Sequence, residues 1–339
     1  MLKPFVDSTD VFMNGAALTE RLDRDGYLFL RGVLPRDEVL AVRRQLLAKT
    51  ASARWTNEDG VADISKACKD PEPSYLEIFR RMWKLEALHR LKHHPNVIGI
   101  FERLFSETVL VHPMFVLRNI FPQTESFDFT TGSHQDRIHI GGGISYACWM
   151  PLGDCPAAKG SLIMAAGSHK QGVLDFELAS GAGGIEVSEK FEDRWVGGDF
   201  AVGDVVIFSD TTVHKALPNR SRELRQSFDA RYQRLSDPIA TLSCEPYAGI
   251  YKSWDEVYAG WRAEDLRYYW VRQGARIVPF DTRYYEKRDA IAFERAEAGD
   301  LLARDTLLRI IQRDKNEAKR TRAATLLADL DKRYARTAA

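Results

Sequence analysis

The sequence lacks most of the marks by which a chain announces a compartment or a polyanionic partner. Its four cysteines, Cys68, Cys148, Cys155 and Cys244, are scattered and form no CxxC pair. That excludes a disulfide scaffold and fits reduced, mostly buried thiols in a cytosolic protein. Neither sign of charge dominates: 48 Lys and Arg face 48 Asp and Glu. The net basic field of a nucleic-acid binder is therefore missing, and no nucleic-acid partner is expected. Apolar runs are short, and none approaches the roughly 20 residues that a bilayer-spanning helix needs. The opening MLKPFVDSTDVFMNG has no apolar core and no small-residue cleavage site of a secretory signal. No membrane partner is expected, and the cytoplasm is the expected location. Repeats and low-complexity linkers are also absent.

What is present is material for a core. Hydrophobic residues make up 45% of the chain, enough for one large decorated domain or two modest ones. The texture changes twice. Residues 1–107 form a mainly helical region expected to pack on the core. Asp25-Gly26 turns into the short apolar strand Tyr27–Leu30. Pro35 and the acids Asp37 and Glu38 open a helix with Val39, Val42, Leu46 and Leu47 on one face. Tyr75, Ile78, Phe79, Met82, Leu85 and Leu88 share helical spacing, and Pro95 begins a further helix through Phe105.

Residues 108–235 carry short β-type runs bounded by Gly, Asp, Asn and Pro: Val109–Ile120, Ile144–Leu152, Ser161–Ala165, Asp204–Phe208 and Gln226–Gln233. Without crossover helices between them they predict a sandwich or jelly roll rather than βαβ units. The Gly-rich span Gly181 to Gly203 is expected to be a long insertion or loop pair. Residues 236–339 become aromatic and charged and then mostly helical. Asp300 is placed to cap a helix carrying Leu301, Leu308 and Ile311. This extension is expected as a solvated helical face packed on the barrel, with a homo-oligomer contact as the alternative, and all three regions are expected to form one structural unit.

The chemistry concentrates at Gly132-Ser133-His134-Gln135-Asp136. On a strand, residues i and i+2 share a face, so His134 and Asp136 can offer an imidazole nitrogen and a carboxylate oxygen to one metal. An isolated HxD is common by chance. His214, just beyond the buried strand Asp204–Phe208, is a coherent third ligand that a jelly roll can bring alongside. Two imidazoles and a carboxylate on one octahedral face leave three open positions, as non-haem iron(II) oxygenases require. Arg225 follows at the start of the last strand, where a guanidinium fork suits a dicarboxylate. Arg220 and Arg222 are rivals for that role. Alternation from Arg225 brings Ser227, Asp229 and Arg231 to its face.

The order of these elements resembles the phytanoyl-CoA dioxygenase family. The likeness rests on His134-Gln135-Asp136, Trp149 with Leu152, Gly160 before a strand, Gly167-Ser168-His169, Gly203-Asp204, and His214 followed by Arg225. Asp25-Gly26-Tyr27 before an amphipathic helix is similar to the family's opening, and the match runs from about residue 20 to 235. The resemblance implies a mainly β fold: a double-stranded β-helix (jelly-roll, cupin-like) core flanked by N- and C-terminal helices. It also implies iron(II), 2-oxoglutarate as cosubstrate and dioxygen. His134, Asp136 and His214 would hold the metal, and Arg225 would anchor the distal carboxylate of 2-oxoglutarate. Trp149 would wall the cosubstrate pocket, with simple core packing as its alternative. Arg118 would lie near 2-oxoglutarate, unless it pairs with an acid.

Two positions depart from the family pattern. Ala216 stands where a serine often touches the cosubstrate, and Ala166 replaces the proline before Gly-Ser-His. The acid is retained as Asp136, which disfavours a halogenase. His139 is the rival ligand and otherwise lines the pocket mouth or packs. Substrate contacts are expected from Arg137–Gly143, including Arg137 and His139, from the insertion His169–Gly198 and from the aromatic segment Tyr247–Trp261. The expected activity is hydroxylation of an unactivated C–H bond in a small-molecule metabolite, with release of succinate and carbon dioxide. The alternatives are a cupin-like metalloenzyme that does not use 2-oxoglutarate and a non-catalytic binding protein on the same scaffold.

Overall fold

The computed structural model describes residues 2–125, 127, 130–179, 183–247 and 250–337, with side chains through residue 335. Residues 180–182 of the expected insertion and 248–249 of the expected aromatic segment lie outside the described residues.

The N-terminal third shows how local chemistry sets element ends. Helix α1 (Gly15–Asp25) begins where the Asn14 side chain accepts the Ala17 N–H at 3.1 Å, satisfying one orphan donor. It ends at Gly26, whose φ of 81° suits a residue without a Cβ; a Cβ there would lie 2.4 Å from the His169 ring. The chain then enters strand β2 (Tyr27–Leu30) as expected, after the short β1 (Lys3–Pro4). Helix α2 (Arg36–Ser52) buries Val39, Val42, Leu46 and Leu47, and α3 (Pro73–Trp83) buries Tyr75, Ile78, Phe79 and Met82. The apolar spacing predicted one segment through Leu88. The helix instead stops at Trp83, and a second short helix runs over Glu86–Leu91. Trp83 anchors the break: its indole N–H donates to the Phe115 carbonyl at 3.0 Å and its ring stacks on Phe115 at 4.8 Å. Helix α4 (Pro95–Phe105) completes the layer.

The middle of the chain is a two-sheet roll. Its strands are β3 (Val109–Val111), β4 (Val116–Ile120), β5 (Tyr146–Pro151), β6 (Leu162–Ala165), β7 (Phe176–Leu178), β8 (Ile185–Val187), β9 (Trp195–Gly197), β10 (Val205–Ser209), β11 (His214–Ala216) and β12 (Arg225–Arg234). The larger sheet has the order β2-β10-β5-β12-β3, with β4 also pairing with β12. The smaller is β1-β9-β6-β11. The single strand expected over Val109–Ile120 is two strands, because Pro113 has no N–H to continue the ladder. The Gly-rich span is more ordered than expected. It contains β8, which pairs with β7 as a hairpin, and β9, which belongs to the roll.

Period-two alternation divides the core. Leu28, Leu30, Cys148, Met150, Val205 and Ile207 face the helices, while Tyr27, Phe29, Ala147, Trp149, Val206 and Phe208 face the second sheet. Each large apolar side chain buried this way contributes roughly 1.5–3 kcal/mol against exposure.

The last third is helical, with α6 (Arg283–Glu297), α7 (Arg304–Arg313) and α8 (Glu317–Thr337) following the short α5 (Arg137–Ile140) of the motif region. Asp300 caps only a 3-10 turn, through its bond to the Leu302 N–H at 2.9 Å, and α7 starts after it. The buried face of α7 carries Leu307 and Ile310 rather than the expected Leu308 and Ile311. These residues join Phe293, Ala323, Leu330 and Leu178 of β7 in a separate apolar cluster, so the hairpin inserted in the roll is what the C-terminal helices grip.

Candidate metal centre and cavity

Strand β12 explains why a site forms where it does. One face sends Phe228, Ala230 and Tyr232 into the helix-side core. The opposite face carries Arg225, Ser227, Asp229 and Arg231, all buried. Four polar side chains inside a barrel are costly unless each finds a partner, so this face is shaped by something other than packing.

His134 and His214 form an antiparallel bridge, each N–H donating to the other's carbonyl at 3.0 Å, which sets their ring centroids 4.2 Å apart. The His134 Nδ1–H donates to the Gly132 carbonyl at 2.8 Å and the His214 Nδ1–H to the Thr212 carbonyl at 3.0 Å. Those bonds fix both tautomers and leave both Nε2 lone pairs free. Asp136 does not lie on a strand with His134, as the i, i+2 argument supposed. Its φ of −72° and ψ of −25° place it at the turn into α5. The turn still delivers the carboxylate: Oδ1 lies 3.8 Å from His134 Nε2 and 3.9 Å from His214 Nε2. One donor atom from each of the three residues lies within 4.8 Å of the others.

Arg231 fixes the remaining geometry. Its guanidinium donates to Asp136 Oδ2 at 2.7 Å and to Asp229 Oδ1 at 2.5 Å, holding Asp136 so that only Oδ1 faces the imidazoles. The spacing put Arg231 on the correct face but gave no signal that it would clamp the acid of the motif. Burial opposes ionisation of Asp136, yet the Arg231 guanidinium holds its carboxyl below the usual carboxylate range. Burial also keeps the rings neutral, lowering His134 and taking His214 down to about 3. Two neutral imidazole nitrogens and one carboxylate oxygen, desolvated and pre-oriented, fit an iron(II) ion.

Arg225 is buried at the same cavity wall. It donates to Ser227 Oγ at 2.6 Å, its Nε has no partner among the described residues, and no carboxylate there pairs with it. Desolvation pushes its guanidinium down to about 10. The rivals Arg220 and Arg222 are exposed. Trp149 does both things expected of it in the alternative: it packs edge-on against Phe200 at 4.8 Å and also lines the cavity. Arg118 stands opposite Ser227 in the strand register and lines the cavity, half-buried. His139 also lines it, with Nδ1 3.3 Å from the Tyr285 hydroxyl and Nε2 unpartnered among the described residues; it is not one of the three clustered donors. Arg137 is a correction. Its guanidinium is spent on the carbonyls of Gly142 and Gly143 and on Asp210, so it braces its own loop and does not line the cavity.

The cavity holds about 1060 Å³ and runs from the histidines to the C-terminal helices. The expected loops supply His139, Ile140, Gly183 and Tyr247. Much of the remaining wall comes from Tyr285, Arg288 and Phe293 of α6 and Arg309 and Arg313 of α7. The C-terminal third is therefore more than a solvated face on the barrel: it encloses the chamber.

The sequence profile of phytanoyl-CoA dioxygenase matches residues 22–227. A 1-deoxypentalenic acid 11-beta-hydroxylase from Streptomyces arenae is 28% identical over 251 residues, covering 68% of this chain and 86% of that protein. Ectoine dioxygenase from Stutzerimonas stutzeri strain A1501 is 23% identical over 250 residues, covering 68% and 80%. Among solved structures, the epimerase SnoN in complex with Fe3+, alpha ketoglutarate and nogalamycin RO superposes with a TM-score of 0.48 at 21% identity, covering 66% of this chain and 85% of that one. The profile ends before the C-terminal helices begin.

Proposed function

The chain belongs to the phytanoyl-CoA dioxygenase family and is a 2-oxoglutarate-dependent non-haem iron oxygenase, and from that premise we propose that it hydroxylates an unactivated C–H bond of a small-molecule metabolite. The observation that carries the reading is the pairing, in one cavity, of a clamped His134–Asp136–His214 donor set with a buried Arg225 that no carboxylate among the described residues pairs with. When bound, iron(II) with 2-oxoglutarate and dioxygen supplies the oxidant: one oxygen atom leaves in succinate, the other enters the C–H bond, and carbon dioxide is released.

The chain's own residues do the rest. His134, Asp136 and His214 hold the ion, and the bonds from Gly132, Thr212 and Arg231 keep the three donors aimed. Arg225 receives the distal carboxylate of the cosubstrate, with Ser227 fixing the guanidinium. Trp149 walls that pocket, and its packing on Phe200 keeps it from swinging aside. The C-terminal helices shield the chamber from solvent and hold the substrate over the ion. The hydroxylase named among the relatives supports the outcome.

The test is a substrate panel read by succinate release, with product analysis under isotopically labelled dioxygen. A product that has gained one labelled oxygen is the expected result. A product that has lost two hydrogens, closed a ring or inverted a centre, with no oxygen gained, would overturn hydroxylation. The ligand assignment is tested separately by the visible charge-transfer band that iron(II) and 2-oxoglutarate give anaerobically. It should be absent in Asp136→Ala, and its persistence there would remove Asp136 from the ion.

A further inference from the structure

One polar group on the chamber wall is left without a task by the metal and cosubstrate residues. His139 sits on α5, three residues after Asp136, and its backbone N–H donates to the Asp136 carbonyl at 2.8 Å. Positions three apart on a helical turn share a face, and both the imidazole and the ligand carboxylate line the chamber. The ring is held by α6: its Nδ1 lies 3.3 Å from the Tyr285 hydroxyl, with ring centroids 5.7 Å apart. Tyr285 is itself fixed, packed against Phe280 at 5.2 Å and covered by the Arg288 guanidinium at 4.5 Å.

The chemistry of that pair decides what His139 shows the chamber. A phenol is a stronger donor than a neutral imidazole, and an imidazole nitrogen is the stronger acceptor of the two. The Tyr285 hydroxyl therefore donates to Nδ1, and the ring proton belongs on Nε2. Protonating the ring would leave Nε2 a donor as well. Nε2 is buried and has no hydrogen-bond partner among the described residues. It lies beside Gly183, another lining residue, where a Cβ would stand 3.3 Å away, and glycine leaves that approach free. Ile140 and Phe280 make the wall next to the pair apolar. A buried donor without an acceptor is costly in the free protein and becomes an anchor when a ligand brings one.

We propose that the His139 Nε2–H donates to an uncharged oxygen of the substrate, a hydroxyl or a carbonyl, and that Tyr285 is the positioning residue that keeps the proton on that nitrogen. The substrate is then a largely apolar molecule carrying such an oxygen. Its hydrogen bond, made one turn from Asp136, sets which C–H bond faces the ion. One oriented bond of this kind fixes an apolar body that packing alone leaves free to turn. The inference rests on the proposed function only in taking this cavity as the substrate chamber. It gives α6, which lies beyond the family match, a part in choosing where the substrate reacts.

The experiment titrates the full chain, metal-free so that no iron takes up the oxygen, with 2-adamantanone and with 2-methyleneadamantane. The two probes share a body and differ only in carrying C=O or C=CH2. The ketone is expected to bind about tenfold tighter, equivalent to 1.4 kcal/mol. His139→Phe should reduce the preference to about twofold or less, whereas His139→Gln, whose amide restores an N–H donor, should retain most of it and so separates a lost donor from a lost fold. Tyr285→Phe should leave about a threefold preference, because the ring proton is then free to move to Nδ1. Nitrogen NMR of the unaltered protein reads the contact directly: the protonated Nε2 signal of His139 should shift with the ketone and stay still with the alkene. Equal binding of the two probes, a preference unchanged in His139→Phe, or a signal that ignores the ketone overturns the proposal. The iron and 2-oxoglutarate band of the unaltered protein is read in parallel. A band without a ketone preference sinks this inference alone, and a ketone preference without a band sinks the oxygenase assignment of the residues and leaves the contact standing.

Discussion

The two ends of the cavity hold their buried charge on different scaffolds. At the metal end, the acids Asp136 and Asp229 share one arginine, the imidazoles are kept neutral, and the cation left over is Arg225. Each group there is oriented by a second bond, and the end is built from strands whose register fixes positions closely. At the other end Arg288, Arg309 and Arg313 sit on helices that pack through their own apolar cluster, beside buried acids such as Asp70 and Asp289. A rigid, charge-matched end suits a reaction common to a family. A wall on a separately packed element suits selection of a particular substrate.

The sharpest way to break this contrast is Asp136→Ala. It removes one metal donor and leaves Arg231 buried with one of its two carboxylate partners gone. Turnover should fall by several kcal/mol in barrier terms, roughly a thousandfold or more. Succinate release near the unaltered rate would remove Asp136 from the ion. Arg225→Ala comes next. Truncating one partner of a buried charge pair costs about 2–5 kcal/mol, so the KM for 2-oxoglutarate should rise about a hundredfold with a smaller change in kcat. An unchanged KM would move the cosubstrate anchor elsewhere, Arg118 of the neighbouring strand β4 being the next candidate.

The contrast also governs what the sequence could reveal. His134, Asp136, His214 and Arg225 were legible because each is tied to a strand or its edge, where residue order and period two constrain who meets whom. Asp136 meets the imidazoles from a turn rather than from the expected strand, because the bridge between His134 and His214 does the positioning. The break at Pro113 and the inner strand β9 were missed, since three-residue strands carry too little pattern to stand out from loops. Arg137 was misjudged because nothing in a sequence says whether an arginine beside a motif points into a cavity or back at its own loop. The C-terminal wall was illegible for a deeper reason. Amphipathic spacing shows that a helix buries one face and is silent about what that face meets, and α7 presents Leu307 and Ile310 to its neighbours while Arg309 and Arg313 reach the chamber.

A finer test separates the ligands from their clamp. Arg231→Met keeps the length and apolar stem and removes both bonds to the acids. Losing an orienting partner behind a metal ligand typically weakens metal binding by about 10–100-fold. The charge-transfer band should therefore survive at high iron and disappear at low iron, whereas Asp136→Ala shows none at any concentration. A band as strong as the unaltered protein's at low iron would reduce Arg231 to core filling.

The smallest effect is one of pH, and it compares a buried imidazole that holds metal with one that does not. His112 is not one of the clustered donors, and its Nε2–H donates to Gln233 Oε1 at 2.7 Å; burial takes it from the ordinary 6.5 down to about 3. His214 is lowered to about 3 for the same leading reason. In both cases the unfolded chain takes up a proton as pH falls below about 6.5 while the folded protein does not, so stability is fully present above that value and drains away as pH drops toward 3. The melting temperature of metal-free protein should thus fall between about pH 7 and pH 5. The rise in melting temperature on adding metal should stay nearly constant over the same range, because His214 Nε2 and the Asp136 carboxylate are already proton-free and no proton competes for them. His112→Gln should flatten the first trend and leave the second alone. A metal increment that collapses near pH 6.5 instead would show ordinary, solvated imidazoles at the centre, contrary to the burial that sets the two ends of the cavity apart.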